Sequence, residues 1–534
     1  MLSKTKFIKQ AAILALASLL VRLLGFLYRL PLTNMLGDEG NGIYSAGFYL
    51  YNFFLVMSSA GLPAAISKIV SEKVALQEYR NVKKTFKIAL ILSSTVGFIF
   101  SIIMFVSARW FSKLIGSPDS YYTILTLSPT VFIVSVMSVF RGYFQGLGTT
   151  VPTALSQVIE QIFNAIFSIY LAYVLVGISL PFGAAGGTAG TGIGALAGLI
   201  YILIVFLNKK RYINRKLSKK THKYKTETNK EIAIKIIKTA VPIIAGTAIF
   251  SMTNLIDMQM VNSRLLASKA FTDSQITALY GQLTGKYVTL TTLPVSISTA
   301  LATAVLPSIA SSMAQKDRKT VRKKIDVTLR LTMIISIPAA IGMGVLADEI
   351  LLLLFPNYAD GGTLLKWGAL SIIFLALCQI ITGILQGIGK VSTPAKNALI
   401  GSIIKIPINY FLIVIPSINV IGAIISTTVC YIVASILNFR ALKKATKITP
   451  DYKGILFKPM IASVVMGVAC YLSYKGIFYI SKSNTISTLI SIFIAMIVYT
   501  VALAVIGGFK REDLITLPMG NKIINILDRF NLID

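Results

Sequence analysis

Stretches of about 20 apolar residues recur fourteen times along this chain, and they constrain its fold more than any other feature. A helix of that length crosses a hydrocarbon layer about 30 Å thick, and it satisfies its own backbone hydrogen bonds there. The sequence therefore predicts an all-α polytopic membrane protein with fourteen transmembrane helices. Predicted helices 1 to 14 occupy residues 10–32, 42–66, 85–107, 121–145, 152–176, 182–207, 236–260, 285–310, 327–347, 363–387, 394–416, 419–440, 456–480 and 485–508.

The composition supports this class, because 55% of the residues are hydrophobic, only 13% are charged and the mean hydropathy is +0.75. The three cysteines and the one histidine, His222, show no metal-ligand spacing, so no metal site, cofactor or disulfide is expected. Three lysines precede the first apolar run, as in a signal peptide. That run is long and contains arginine, which favours a first membrane helix over a cleaved signal.

The basic residues indicate the orientation of the helices. The chain has 52 Lys and Arg against 20 Asp and Glu, a formal net charge of +32. Forty of the 52 lie in loops, helix ends and termini on the side of the N-terminus, and seven lie on the opposite side. By the positive-inside rule, both termini are predicted to be cytoplasmic. This topology explains the charge without a nucleic acid partner, and the basic segment 209–225 is interpreted as a linker that faces anionic lipids.

An internal repeat divides the protein. RGYFQGLG at 141–148 and TGILQGIG at 382–389 share Gly, Gln, Gly and Gly at an offset of 241, and three further landmarks recur in the same order at offsets of 242 to 244. Each repeat contains an even number of helices, so the two copies have the same orientation. The sequence predicts two parallel six-helix lobes around a central cavity. The predicted parts are an N-lobe at 1–207, a basic cytoplasmic linker at 208–231, a C-lobe at 232–440, two additional helices at 456–508 and a cytoplasmic tail at 509–534.

Two arginines of predicted helix 1 need a partner. Arg22 and Arg29 are seven residues apart, which places them on nearly one face and about 10 Å apart along the axis. An arginine near the membrane midplane costs about 2.5 to 3.5 kcal/mol on insertion scales. Guanidinium groups bind phosphate through paired hydrogen bonds. Arg22 and Arg29, with Lys286 at the start of predicted helix 8, are therefore predicted to bind an anionic substrate.

Further polar residues recur at helical spacing on three predicted helices. They are predicted to line the cavity, because polar stripes in membrane helices turn away from lipid. An alternative is that the hydroxyl groups only bond the preceding helical turn, and that Glu160 belongs to a structural network of amides. The candidates are Tyr44 and Asn52 on predicted helix 2, Glu160 and Asn164 on predicted helix 5, and Thr289 and Ser296 on predicted helix 8.

Asp257, Lys405 and Asn409 are candidates for ion coupling. Asp257 and Lys405 can form a buried ion pair between predicted helices 7 and 11, or Asp257 can instead titrate or bind a cation. Arg141, close to the cytoplasmic end of predicted helix 4, is interpreted as a cytoplasmic gate residue or an interfacial anchor.

The segment RLLGFLYRLPLTNMLG, followed by GNGIYSAGFYLYNFFLVMSSAGLPAAISKIVSE and later by RGYFQGLGTTVPTALSQVIEQ, resembles the MurJ and SpoVB branch of the multidrug/oligosaccharidyl-lipid/polysaccharide flippase superfamily. The resemblance covers nearly the whole chain. It implies fourteen helices as two six-helix lobes plus two. It also implies transport of lipid II, an undecaprenyl-pyrophosphate-linked peptidoglycan precursor, to the outer leaflet by alternating access, with the last two helices forming a groove for the lipid tail.

The resemblance extends to individual residues. Arg22 matches an arginine of the family, whereas Arg29 lies one residue after the family position, which Tyr28 occupies here. The resemblance implies that helix 1 arginines bind the pyrophosphate and that Lys286 stands for a helix 8 arginine. Asp257 falls where some members place a sodium ligand. Lys405 lies about where a further ligand is expected, and we hypothesise that its ammonium group replaces the ion.

The sequence thus predicts a monomeric flippase of the bacterial cell membrane, driven by the membrane potential, H⁺ or Na⁺. The alternatives are a flippase for another polyprenyl-linked polysaccharide precursor, of capsule or teichoic type, and an exporter of cationic drugs like the MATE transporters. An enzyme acting on such a lipid would need large loops with clustered acids. The longest outer loop, about residues 261–284, contains a single acid, Asp273, so no enzyme activity is expected.

Overall fold

The computed structural model describes residues 4–218, 226–315, 317–390, 392–448 and 450–508. It is 88% helical, and the described residues contain no strand. The basic segment at 219–225, with His222, and the predicted tail at 509–534 lie outside the described residues.

Eighteen α-helices follow one another in these ranges. One short 3₁₀-helix, Pro118–Ser120, and two π-helical segments, Gln282–Val288 and Lys453–Phe457, connect some of them. The α-helices are α1 Lys4–Ser59, α2 Leu62–Ala75, α3 Tyr79–Val106, α4 Ala108–Leu114, α5 Tyr121–Gly146, α6 Val151–Val176, α7 Leu180–Ser218, α8 Asn229–Ala267, α9 Asp273–Gly281, α10 Thr289–Ala314, α11 Arg318–Val345, α12 Ala347–Leu354, α13 Gly362–Gly368, α14 Leu370–Gly387, α15 Ser392–Leu412, α16 Ile421–Thr446, α17 Lys458–Ser481 and α18 Asn484–Val505.

The predicted class is confirmed, since the chain is a multi-pass membrane protein. Eleven helical stretches of the described residues are long and apolar enough to cross a membrane. Predicted helices 1 and 2 count as one of them, because α1 runs through both with a single break in helical geometry, at Gly37. Predicted helices 8 and 11 coincide with α10 and α15, which are not among the eleven. The count of fourteen spans and the arrangement of two lobes stay predictions.

Several predicted helix boundaries differ from the structure, and the end of predicted helix 2 is one of them. Predicted helix 2 extends to residue 66, but α1 ends at Ser59 and α2 begins at Leu62. Proline lacks the N–H that a helix interior uses and is favoured in the first turn of a helix, which is where Pro63 lies in α2. The helix break also places Gly61 against α8, where a Cβ atom would lie 2.6 Å from the carbonyl oxygen of Ala240.

The chain forms two compact units, Met1–Gly285 and Lys286–Asp534. The first unit contains α1 to α9, and the second contains α10 to α18. The predicted lobe boundaries at 207 and 232 stay predictions.

In the first unit, four glycines hold α7 close to α6. Gly186, Gly190, Gly194 and Gly198 recur at every fourth residue and therefore face one direction. A Cβ atom would lie 2.6 Å from the Leu171 carbonyl oxygen at the first of them and 2.3 to 3.1 Å from α6 atoms at the other three. Small residues allow helices in membranes to approach to backbone contact. This contact fixes the rotation of α6 and hence the direction of its polar residues.

In the second unit, a core of Ile, Leu, Met and Val side chains joins α11, α14 and α16. A smaller cluster packs α17 and α18 against α11. There the buried Tyr499 hydroxyl donates to the carbonyl oxygen of Ile334 at 2.7 Å.

Candidate functional site

Helix α1 reverses direction at Gly37. The backbone there has φ 65° and ψ −174°, a conformation that glycine adopts without strain. Thr33 Oγ1 donates to Asn41 Oδ1 at 3.3 Å, and Arg29 Nη2 donates to Ser45 Oγ at 3.4 Å. Sixteen residues of straight helix would span about 24 Å. The contact between residues 29 and 45 therefore shows that α1 is a hairpin of two arms, which meet in pairs placed symmetrically about Gly37.

Arg29 lies inside this hairpin, and no described residue supplies a counter-charge to it. Its guanidinium carbon is 4.3 Å from the centroid of the Tyr44 ring, and its only hydrogen bond within the described residues goes to Ser45. Its Nε atom is buried and has no hydrogen-bond partner there. No described carboxylate forms an ion pair with it. Arg29 is thus a half-buried cation that can still accept an anion.

Arg22 and Asn52 do not continue the paired series. Symmetry about Gly37 would place these residues opposite each other. Asn52 Nδ2 instead donates to Ser251 Oγ of α8 at 3.0 Å, and the Arg22 side chain is exposed. Three residues after Arg22, a Cβ atom at Gly25 would lie 3.4 Å from Gln161 Nε2 of α6. The arm that carries Arg22 thus packs on α6 while the arm that carries Asn52 contacts α8.

Arg141 and Glu160, predicted as separate sites, form an ion pair. Arg141 Nη2 donates to Glu160 Oε2 at 2.6 Å, and Arg141 Nε donates to Ser156 Oγ at 2.8 Å. The two charged side chains are 13% and 26% exposed, so the pair is only partly screened by solvent. Sequence reasoning missed this contact. A signal was available, because Ser156 lies as far after the turn that joins α5 and α6 as Arg141 lies before it, and Glu160 is one helical turn beyond Ser156.

Asn164 belongs to a second polar network, one turn further along α6. Its Oδ1 accepts from Ser168 Oγ at 2.8 Å and from Thr191 Oγ1 of α7 at 3.3 Å. Asn164 is 8% exposed. Its carbonyl oxygen is thus satisfied within the protein.

Asp257 of α8 is half-buried. It lies within electrostatic range of Tyr49 in α1 and Tyr280 in α9. Two tyrosines from different helices thus lie in the neighbourhood of this carboxylate.

In the second unit, Lys286 lies in the π-helical segment before α10. It is 2% exposed, and its Nζ donates to the carbonyl oxygen of Asp360 at 2.9 Å. Thr289 is half-buried one turn later. Ser296 donates to the carbonyl oxygen of Leu293 at 2.6 Å, the backbone bond that the alternative interpretation expected of such hydroxyls.

Lys405 and Asn409 lie on one face of α15 and are both buried, at 2% and 0% exposure. Asn409 Oδ1 accepts a short hydrogen bond from Ser426 of α16. Because Asp257 and Lys405 belong to different units, their proposed ion pair stays a prediction. Among the described residues, no three His, Cys, Asp or Glu side chains lie together as a metal site would need.

Sequence reasoning also missed a cluster of charges around Glu227, just before α8. Its carboxylate accepts from Lys73 at 2.5 Å and Lys235 at 2.7 Å, and its carbonyl oxygen accepts from Lys84 at 3.0 Å. Burial raises the pKa of the Glu227 carboxyl, but the hydrogen bonds from Lys235 and Lys73 outweigh it and hold that pKa below its ordinary value. This cluster anchors the beginning of α8 to α2 and α3.

Comparison with known proteins agrees with this architecture. The family model described as "Polysaccharide biosynthesis protein" matches residues 7–313, more than half of the chain, and the model described as "MatE" matches residues 242–411. Stage V sporulation protein B of Bacillus subtilis is 26% identical over 527 residues, which cover 98% of this chain and 100% of that protein. The lipid II flippase MurJ of Bacillus subtilis is 26% identical over 488 residues, covering 87% of this chain and 88% of the relative.

The fold has a counterpart among solved structures. A lipid II flippase MurJ in an inward closed conformation superposes with a TM-score of 0.67 at 17% identity, over 93% of this chain and 98% of that one. Together with the matched family model, these relatives decide the classification. The chain belongs to the polysaccharide biosynthesis protein family, as a flippase of the MurJ and SpoVB type within the multidrug/oligosaccharidyl-lipid/polysaccharide superfamily.

Proposed function

We propose that this protein moves lipid II, an undecaprenyl-pyrophosphate-linked peptidoglycan precursor, from the cytoplasmic to the outer leaflet by alternating access. The observation that carries the proposal is Arg29, a half-buried cation whose partners among the described residues are a hydroxyl group and an aromatic ring. A cation in that setting is stabilised by an anionic ligand. The name of the relative in Bacillus subtilis, a lipid II flippase, supports this choice of anion.

In this proposal the pyrophosphate binds along the first arm of α1. Arg29 supplies guanidinium donors that match phosphate oxygens. Arg22, two turns earlier and exposed, offers a second guanidinium about 10 Å away along the helix. Lys286 contributes only in a state where its ammonium group leaves the Asp360 carbonyl oxygen.

Ion coupling in this proposal involves Asp257, Lys405 and Asn409. The ammonium of Lys405 takes the place of a bound sodium ion, so that transport depends on the membrane potential or on H⁺ and not on Na⁺. Titrating transport against sodium in the wild type and in Lys405→Asn tests this. A strong sodium requirement of equal size in both proteins would contradict it.

A second candidate substrate is another polyprenyl-linked polysaccharide precursor, of capsule or teichoic type. The matched family is described by the words polysaccharide biosynthesis protein, and this description supports such a precursor as the substrate. Both candidates share the pyrophosphate, so the Arg29 environment supports them equally. An exporter of cationic drugs is less well supported, because the arginines of α1 would repel such a substrate.

The test is complementation of a bacterial strain depleted of its lipid II flippase. We expect the wild-type chain to restore growth, and Arg22→Ala and Arg29→Ala to fail at equal membrane expression. Arg109→Ala is the matched control, because Arg109 also lies over a tyrosine ring, 5.7 Å from Tyr121, but is exposed on a predicted outer loop. Failure of the well-expressed wild type would reject lipid II, and rescue by Arg29→Ala would remove the proposed role of that residue.

A further inference from the structure

Tyr44 is the aromatic side chain whose ring lies against Arg29. It has no exposed surface. Its ring stacks on Phe48 with 5.8 Å between centroids and 17° between planes. On α7, a Cβ atom at Gly187 would lie only 3.3 Å from Tyr44 Cδ2. The ring is therefore enclosed by its own helix arm and by α7, and it has little freedom to move.

Arg29 lies over this ring from the other arm of the hairpin. The distance of 4.3 Å from the guanidinium carbon to the ring centroid is well within the range of cation–π attraction. Ser45, the residue after Tyr44, accepts the hydrogen bond from Nη2. Two adjacent residues of the second arm therefore orient one guanidinium group of the first arm.

The chemical nature of these partners matters for anion binding. A carboxylate would also orient an arginine, but it would neutralise the charge and compete with a phosphate for the same donors. An aromatic ring attracts the cation through its face and accepts none of the in-plane N–H bonds. Arg29 is thus held in place while its charge and most of its donors stay available to a ligand.

We propose that Tyr44 is a positioning residue, whose buried ring presents the Arg29 guanidinium to the pyrophosphate of the substrate. This role rests on the proposed function, since it assigns Arg29 a pyrophosphate ligand. The Tyr44 ring that orients this arginine belongs to the opposite arm of the hairpin.

The first experiment needs no substrate. Purified protein in detergent is treated with phenylglyoxal, which modifies arginine, and the modification rate of Arg29 is measured by mass spectrometry. We expect Tyr44→Phe to leave the rate unchanged, because the ring remains, and Tyr44→Leu to raise it several-fold, because one face of the guanidinium is uncovered. Tyr51→Leu is the matched control, since it removes another buried tyrosine from the same arm. Equal rates in Tyr44→Leu and Tyr51→Leu would overturn the positioning role.

The second experiment measures binding of undecaprenyl pyrophosphate by native mass spectrometry. We expect Tyr44→Leu to weaken binding about 5-fold and Tyr44→Phe to change it less than about twofold. In an Arg29→Ala background, Tyr44→Leu should cause no further loss, because it acts only through Arg29. A further loss of the same size in that background would mean a merely structural role and overturn the proposal. Absence of binding by the wild type would reject the proposed function, while the modification rates still decide the role of Tyr44.

Discussion

The guanidinium group of Arg29 lies 4.3 Å above the ring of Tyr44, across a helical hairpin whose bend is at Gly37. Arg29 precedes the bend by eight residues and Tyr44 follows it by seven. The arginine is therefore oriented by the arm that returns from the bend and not by its own helical neighbours. Tertiary contacts between separate helical segments, such as this one, decide which polar side chains of the chain are neighbours.

The hairpin packs against α9 through a glycine. A Cβ atom at Gly42 would lie 2.1 Å from the carbonyl oxygen of Thr277, so Gly42→Ala should lower stability by about 1 to 3 kcal/mol through overpacking. The measurement is thermal unfolding in detergent. Gly476→Ala is the control, because a Cβ atom there has no neighbour within 4 Å. It should be neutral or stabilise by up to about 1 kcal/mol. Equal Tm values for the two variants would contradict the close packing of α1 on α9.

The ion pair between Arg141 and Glu160 should couple these two residues energetically. Glu160→Gln leaves the arginine without a counter-charge, and we expect a loss of about 2 kcal/mol, less than for a fully buried pair. The double variant Arg141→Gln/Glu160→Gln should lose less than the sum of the two single changes. A double-mutant cycle on thermal stability measures the coupling. Asp348→Asn, in the exposed pair with Lys366, should cost less than about 0.5 kcal/mol.

The charge cluster at the beginning of α8 predicts a dependence on pH. Because the pKa of Glu227 is held below its ordinary value of 4.5, its stabilising contribution is complete above about pH 4.5. It is lost as the pH falls through the lowered pKa. We expect the wild type to lose more thermal stability below pH 4.5 than Glu227→Gln, which should already be less stable at pH 7. If the thermal stability of the two proteins fell in parallel with pH, Glu227 would make no pH-dependent contribution to stability.

One hydrogen bond contributes to the packing of α18 on α11. Tyr499→Phe removes the donor to the Ile334 carbonyl oxygen and should lower the free energy of unfolding by about 1 kcal/mol. Tyr479→Phe provides the comparison, because Tyr479 is 78% exposed and the change there should be neutral. The Tm of each variant is measured in the same detergent. A Tyr499→Phe protein as stable as the wild type would mean that the hydroxyl contributes nothing to this contact.

Much of the secondary structure could be predicted from hydropathy alone. Predicted helix 5, at 152–176, and α6, Val151–Val176, differ by one residue, because a run of apolar residues in a membrane protein has few alternatives to a helix. The end of predicted helix 2 was missed, because Gly61 and Pro63 lie within a run that stays apolar. Hydropathy does not detect a helix end that falls at a glycine and a proline within an apolar run.

The candidate site was predictable only in part. Arg29 could be singled out because a cation in an apolar helix is costly wherever the fold places it. Its partner Tyr44 could not, because the contact depends on the reversal at Gly37, which brings together residues fifteen positions apart. The pairing of Arg141 with Glu160 likewise depends on how α5 and α6 meet.

The sequence by itself determined the membrane class, the positions of most helices, the family and the few charged residues that need a partner, because each of these follows from local hydropathy, charge or motif. Only the tertiary structure decided which partners those charges have. In the tertiary structure, Arg141 contacts a carboxylate, Lys286 contacts a backbone carbonyl oxygen and Arg29 contacts an aromatic ring. The physical reason is that partners are set by helix reversal and by close packing at glycines such as Gly37 and Gly187, and these act between segments that are distant in the chain.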